Sequence, residues 1–470
     1  MRYVSTRGEA PELGFEEALL AGLARDGGLY VPRAWPHFAP EDIAAFADKP
    51  FAELATAVLE PLVGAAIPRN ELLALAHDAY ARFGHPAVTP LVQLDRSLWV
   101  LELFHGPTLA FKDVAMQLLA RLMDRVLAAR RERVTIVGAT SGDTGGAAVE
   151  AFRGAERIDA IILFPHNRVS DVQRRMMTTA TEPNVHAVAV DGTFDDCQAL
   201  VKAMFNDLAF RDRVRLAGVN SINWARVAAQ ITYYFVAAVA LGAPHRPVSF
   251  SVPTGNFGDI FAGWAARRMG LPIERLVIAT NDNDILSRTH ATAVYEVRGV
   301  LPTTSPSMDI QVASNFERWL FEASGRDAGW VRGRMGALSQ SGRFELSADV
   351  AGAMRADFGA AGAGMAEVAA CIRTLEAECG YLLDPHTACG VVAARKVKAR
   401  EGAPCIVLAT AHPAKFPDAV EAITGQRPAL PERLSGLMTA PERMIVLPND
   451  LAAIQRFVAG RTGERKGAAA

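Results

Sequence analysis

The sequence predicts an α/β fold in which parallel strands are flanked by helices, with a mainly helical region ahead of them. Three observations carry this prediction. Short apolar runs at Val134–Val137, Ala160–Phe164, Val185–Val190, Val248–Val252, Leu276–Thr280 and Ile406–Thr410 suit strands buried on both faces. Helical stretches separate most of them, the pattern of a parallel sheet with helices on both sides. The loops after Val137, Val252 and Ala409 then lie outside the carboxyl ends of the strands, where such sheets bind ligands.

From residue 1 to about 90 strand signals are few, and Glu16–Leu23 and Leu72–Phe83 carry apolar residues at helical spacing. Pro86 and Pro90 mark a boundary. The expected organisation is a mainly helical segment 1–90, an α/β region 91–430 in two subdomains, and a C-terminal extension 431–470. Leu98-Trp99-Val100-Leu101 reads as a further short strand. The longest apolar run, Ile231 to Ala243, is too short to span a bilayer and is expected to be a buried helix. Residues 324–400 are richer in helix formers, and the small, charged segment Gly460–Ala470 is expected to fray. There is no internal repeat.

A chain of 470 residues is too long for one ordinary core and points to two or three domains. Half of the residues are hydrophobic, which supports large cores and argues against long disorder. A net charge of −2, with no basic patch carrying interleaved aromatics, argues against a nucleic-acid partner. The opening Met1-Arg2-Tyr3-Val4-Ser5-Thr6 lacks the apolar core of a signal peptide, and no membrane partner is expected. Cys197, Cys371, Cys379, Cys389 and Cys405 form no C-x-x-C pair and read as buried free thiols of a reducing cytoplasm rather than disulfides or metal ligands.

The chemistry centres on Lys112, in His105-Gly106-Pro107-Thr108-Leu109-Ala110-Phe111-Lys112-Asp113. A strand and a Gly-Pro turn feed it, and the amphipathic run Val114–Met123 follows. Most lysines at such a place are solvated charges. A helix N-terminus, however, disfavours a cation, and a site that makes an ammonium uncomfortable depresses its pKa. That is what an imine-forming amine needs, so Lys112 is a Schiff-base candidate.

Two strand–loop–helix segments could complete a site. In Val248–Asp259 the bracketing glycines of Gly255-Asn256-Phe257-Gly258 let backbone N–H groups converge at a helix N-terminus, which suits a phosphate. Val134–Gly146 has the same form around Ser141-Gly142-Asp143-Thr144-Gly145. Either loop alone is equally compatible with a tight turn that needs glycine for steric reasons. Neither fits the dinucleotide or P-loop fingerprint, which argues against a nucleotide.

On these residues the chain resembles the threonine synthase family, in its longer bacterial and fungal form. The resemblance begins at Arg2–Gly8 and Asp26–Pro32 and runs through His105–Asp113, Ser141–Gly145, Asn220-Ser221-Ile222-Asn223 with Arg226, and Gly255–Asp259. It continues at Ser305–Ile310, Ser314–Arg318 and Asp384–Ala388, and ends at Thr410–Phe416. It implies the fold of fold-type-II pyridoxal-phosphate enzymes, the group that includes the tryptophan synthase β chain, and pyridoxal 5'-phosphate as cofactor.

The resemblance implies that Lys112 holds the cofactor and moves protons, and that Gly255, Asn256, Phe257, Gly258 and Asp259 surround its phosphate. A carboxylate repels a phosphate, so the Asp259 side chain is expected to cap its helix instead. Thr410 is either the partner of the pyridine nitrogen or an ordinary strand-end hydroxyl. Ser141, Asp143 and Thr144 would meet the substrate. Many relatives of the fold type carry Asn where Asp143 stands, near the cofactor's phenolic oxygen. Asn220 and Arg226 would bind the substrate phosphate, for which arginine offers a bidentate fork; taken alone, Arg226 would read as a solvated charge. His412 and Lys415 either line the site or belong to a structural loop. The implied reaction is a β,γ-replacement that turns O-phospho-L-homoserine and water into L-threonine and phosphate, the last step of threonine biosynthesis. Alternatives are a phospholyase or serine/threonine dehydratase releasing 2-oxobutyrate, or a non-catalytic protein that binds the cofactor. The sequence leaves the oligomeric state open.

Overall fold

The computed structural model describes residues 1–397 and 403–462. Two parallel layers dominate it. The larger sheet has the strand order Phe358–Gly362, Ile273–Thr280, Val248–Pro253, Cys405–Ala409, Leu98–Glu102 and Leu91–Gln93, parallel except for the last, which pairs antiparallel to Leu98–Glu102. The smaller has the order Met444–Pro448, Val185–Asp191, Ile158–Pro165, Val134–Ala139 and Leu216–Ala217, all parallel. Every residue of Ile158–Pro165 and Val248–Pro253 is buried, Asp159, Ser249 and Ser251 included, as befits parallel strands covered on both faces.

All six expected strands form, each within two or three residues of its expected limits. The edge strand Phe358–Gly362 was not anticipated, because Phe-Gly-Ala-Ala-Gly offers neither branched residues nor alternation. The run around Ile231 is the buried helix Trp224–Ala240, apolar almost all round because it is covered on every side. Among the described residues no helix is long and apolar enough to cross a membrane.

Near the N-terminus the helices Phe15–Ala21, Phe51–Val63 and Arg69–Tyr80 pack into the principal core. Two short strands also form there, Tyr3–Ser5 paired antiparallel with Tyr30–Pro32. Three residues each is too short for a periodic signal, and the pair is fixed by tertiary contacts such as Tyr3 against Trp224, with ring centroids 5.7 Å apart.

The segment expected as a C-terminal extension is built into the molecule. Leu430, Leu434 and Leu437 pack on Leu109, Val172 and Met176. Met444–Pro448 becomes the edge strand of the smaller sheet, and helix Leu451–Arg461 lies over Cys197, Leu200 and Met204. Gly460 and Arg461 close that helix rather than fray; from residue 463 the expectation lies outside the described residues. All five cysteines are free and four are buried. Cys379, expected inside, is exposed as the last residue of helix Met365–Cys379, with its thiol donating to the Leu375 carbonyl.

Candidate active site

Lys112 opens the helix Lys112–Arg130, as its strand–turn–helix setting requires. The preceding turn is stitched in place from two sides. The Thr108 N–H and hydroxyl donate to Asp113 at 2.7 and 2.6 Å, while the Phe111 N–H donates to the Thr410 carbonyl and the His412 N–H to that of Leu109. Arg433, from the C-terminal segment, donates to the His105 and Gly106 carbonyls at 3.1 and 2.9 Å. Lys112 is buried, and its Nζ lies 3.2 Å from Asp143 Oδ2. Burial lowers its pKa; Asp143 opposes the shift, and the neighbouring ammonium of Lys415 adds to it.

Asp143 begins the helix that follows strand Val134–Ala139. Thr140 Oγ1 organises the loop between them by accepting from the N–H groups of Gly142 and Gly145, both at 2.9 Å. Gly142 has φ +141°, and a Cβ there would stand 2.4 Å from the Gln173 amide carbon, so only glycine fits. The Asp143 carboxylate is saturated. Lys112 and the Ser307 hydroxyl (2.8 Å) meet Oδ2; Gln173 Nε2 (2.9 Å) and Lys415 Nζ (3.3 Å) meet Oδ1. Burial pushes its pKa up, but the charges of Lys415 and Lys112 outweigh this and hold it well below the usual carboxylate range. Ser141 is exposed and Thr144 half-buried beside it.

The second loop follows strand Val248–Pro253. A Cβ on Gly255 would stand 2.9 Å from the Ser307 carbonyl oxygen, so this glycine allows the Ser307 turn to close over the loop. The N–H groups of Gly255, Asn256, Phe257, Gly258, Asp259 and Ile260 have no acceptor among the described residues. Six unpaired amides at a helix N-terminus make an anion cradle. Asp259 corrects an expectation, since its side chain caps no helix. The hydroxyls of Tyr233 and Tyr234, from helix Trp224–Ala240, hold its Oδ1 (Tyr234 at 3.0 Å), and Oδ2 is left buried without a partner. The tyrosines outcompete the cap because the helix they stand on packs directly against Gly258–Arg268. Burial raises the Asp259 pKa to about 6.

Arg226 is 4% exposed and bonds only to the Val219 carbonyl at 3.1 Å among the described residues, with Nε unpartnered. Burial lowers its pKa to about 10, and among the described residues no carboxylate pairs with it. It is not the solvated charge its helix alone would suggest, and its field reaches Lys112. Asn220 is exposed at the loop that precedes this helix. Thr410 is buried, and its hydroxyl has no protein partner among the described residues. The alternatives at His412 and Lys415 separate. His412 accepts the Ala414 N–H on Nδ1 and lines a neighbouring cavity of about 450 Å³ with Glu102, His105, Tyr381 and Arg433. Burial lowers its pKa to about 4. Lys415 joins the Asp143 cluster.

Sequence reasoning assigned no role to Thr140, Gln173, Ser307, Asp384 or His386. Ser307 and the Asp384–His386 pair did lie in quoted motifs, which was the available signal. The backbone N–H of Ser307 donates to His386 Nε2 at 3.2 Å, so the ring proton must sit on Nδ1, 2.7 Å from Asp384 Oδ2.

Known proteins resemble this chain over most of its length. The family model described as pyridoxal-phosphate dependent enzyme matches residues 83–410; those described as threonine synthase N terminus and threonine synthase, C-terminal match 2–80 and 387–458. Threonine synthase of Pseudomonas aeruginosa is 53% identical over 97% of this chain and 98% of its own. A structure titled PLP bound threonine synthase from Brucella melitensis is 60% identical, with TM-score 0.97 over 98% of this chain and 100% of that one. The yeast threonine synthase structure is 38% identical, with TM-score 0.94 over 98% and 99%. The chain belongs to the threonine synthase family of pyridoxal-phosphate-dependent enzymes.

Proposed function

We propose that this chain converts O-phospho-L-homoserine and water to L-threonine and phosphate in a reducing cytoplasm, by a β,γ-replacement with pyridoxal phosphate. The observation that carries this reading is a pair of separate anion-accepting groups around one buried lysine: the six-amide cradle of Gly255–Ile260 and the uncompensated guanidinium of Arg226. A cofactor phosphate needs one. A substrate that bears its own phosphate needs the other, which serine and threonine would not.

The residues present fit pyridoxal phosphate. The cradle amides would hold its phosphate, Lys112 its carbonyl carbon, and the free hydroxyl of Thr410 its ring nitrogen. When bound, the cofactor supplies an electron sink for negative charge at the substrate carbons next to the amine. Lys112 Nζ, its pKa lowered by burial, would be the group that takes and returns protons at the substrate carbons. Arg226 and Asn220 would bind the leaving phosphate, and Ser141 and Thr144, at the exposed side of the Asp143 loop, would meet the substrate carboxylate. The test is product analysis. Purified protein supplied with O-phospho-L-homoserine should release threonine and phosphate in equal amounts; release of 2-oxobutyrate instead would establish a phospholyase, and no product a binding protein.

A further inference from the structure

Lys415 is a second fully buried lysine in the site. It ends the turn Pro413–Lys415 after strand Cys405–Ala409, and nothing of it reaches solvent. Its Nζ donates to the Thr108 carbonyl at 2.6 Å and lies 3.3 Å from Asp143 Oδ1. Lys112 meets the other oxygen of the same carboxylate at 3.2 Å. One buried carboxylate therefore bridges two ammonium groups, and only one of them can serve as a reactive amine without leaving the carboxylate stranded. Whenever Lys112 gives up its charge, Asp143 would otherwise be a buried anion with no cation, a strongly disfavoured state. Ser307 and Gln173 hold that carboxylate by neutral hydrogen bonds, which orient it but do not cancel its charge.

Resting on the reading that Lys112 holds the cofactor, we propose that Lys415 is a positioning residue of the reaction. Its ammonium is the standing counter-charge of Asp143, keeping that carboxylate ionised and aimed at the Lys112 nitrogen while Lys112 changes charge. The other groups facing the cluster do not replace it. Asp113, held by Thr108, is pushed up to about 6 by burial. His386 reaches the cluster through Ser307, with its Nδ1 proton directed at Asp384. Arg226 and Asp259 act on Lys112 only through their fields. The division of labour also fits the chain's course. Lys415 is tied to the turn that carries Lys112, so the fixed cation and the changing one share one support.

The experiment is a pH titration of the cofactor absorbance in purified holoenzyme without substrate, in wild type, Lys415→Met and Lys415→Arg. Removing the cation leaves Asp143 to stabilise a proton on the Lys112 nitrogen, so the Lys415→Met midpoint should move up by about one unit or more. Lys415→Arg should restore most of it. With O-phospho-L-homoserine, kcat of Lys415→Met should fall about tenfold or more with little change in KM. An unshifted midpoint in a folded, cofactor-loaded Lys415→Met would overturn the proposal. If that variant does not fold, Lys415→Met/Asp143→Asn removes both charges together and should recover folding and cofactor binding. A double variant as unstable as the single one would make Lys415 a packing residue and sink the idea equally. Because the titration uses no substrate, its outcome is independent of which substrate the enzyme takes.

Discussion

Asp384 fixes the ring of His386: Oδ2 lies 2.7 Å from Nδ1, which leaves Nε2 to accept the Ser307 N–H. The same carboxylate caps the helix Pro385–Lys396 by accepting the N–H groups of His386 and Thr387. Asp384→Ala removes the cap and frees the imidazole to rotate away. The expected loss is about 2–4 kcal/mol of stability, seen as a lowered Tm, with a parallel fall in kcat because Ser307 no longer holds Asp143. An unchanged Tm would show that the pair is not structural.

Lys112 is expected to carry the cofactor. The purified protein should be yellow, and borohydride followed by peptide mapping should locate the cofactor on Lys112. Lys112→Ala should lower turnover on the order of a thousandfold, with folding retained. Mapping to Lys415 would exchange the roles assigned to the two lysines.

Gly258 tests the cradle. A Cβ there would come within 3.2 Å of the Asn315 amide, a contact that a small side-chain shift relieves. Gly258→Val should therefore weaken cofactor retention about tenfold or more, through the blocked approach of phosphate to the amides, while the cofactor-free Tm barely moves. Equal losses of folding and cofactor would mean that the glycine serves the turn alone.

Arg226 should respond in two opposite directions. Without an anion it is a buried cation lacking a carboxylate, so Arg226→Met should leave ligand-free stability unchanged or raise it. Loss of the guanidinium contact should nevertheless cost about 2–4 kcal/mol in kcat/KM for O-phospho-L-homoserine. Arg226→Lys should recover only part. Thermal melts with and without inorganic phosphate, together with steady-state kinetics, separate the two effects; near-normal turnover by Arg226→Met would remove it from the phosphate site.

Asp259 predicts a pH dependence. Its folded pKa, raised by burial to about 6, exceeds the unfolded value of 3.8, so the native state binds the extra proton between those values. Stability therefore declines as pH rises from about 4 to about 6, by roughly 3 kcal/mol from this group. Asp259→Asn keeps an acceptor for the tyrosines and should gain on wild type across that window, with the gap constant above it. Parallel Tm curves for the two proteins would show that the carboxyl is ionised throughout.

What could be read in advance was local in sequence. Lys112, the Gly255–Gly258 loop and Arg226 each belong to one strand–turn–helix or loop–helix segment, where glycine, lysine and helix spacing stand side by side. The role of Ser307 could not be read that way, because it becomes visible only when a turn 164 residues beyond Asp143 closes over it. Asp259 misled for a related reason. Its position favours a cap, and only packing brings two tyrosine hydroxyls within reach. Strand Met444–Pro448 escaped because it is a largely exposed edge, and its pairing with Val185–Asp191 is a long-range choice of the folded chain.

The Arg433 clamp gives chain order a consequence for when the enzyme can first work. Synthesis delivers Lys112 early, yet Thr410, Lys415 and Arg433, which hold its turn, come from the last quarter of the chain. Domains fold from the N-terminus as they emerge from the ribosome, so both sheets can begin to form while the lysine turn still lacks its fastenings. Met444–Pro448 must then dock on the smaller sheet to draw the Arg433 segment across. A chain that stops short of Arg433 thus lacks the guanidinium that fastens the His105 and Gly106 carbonyls, and its lysine turn is left unfinished.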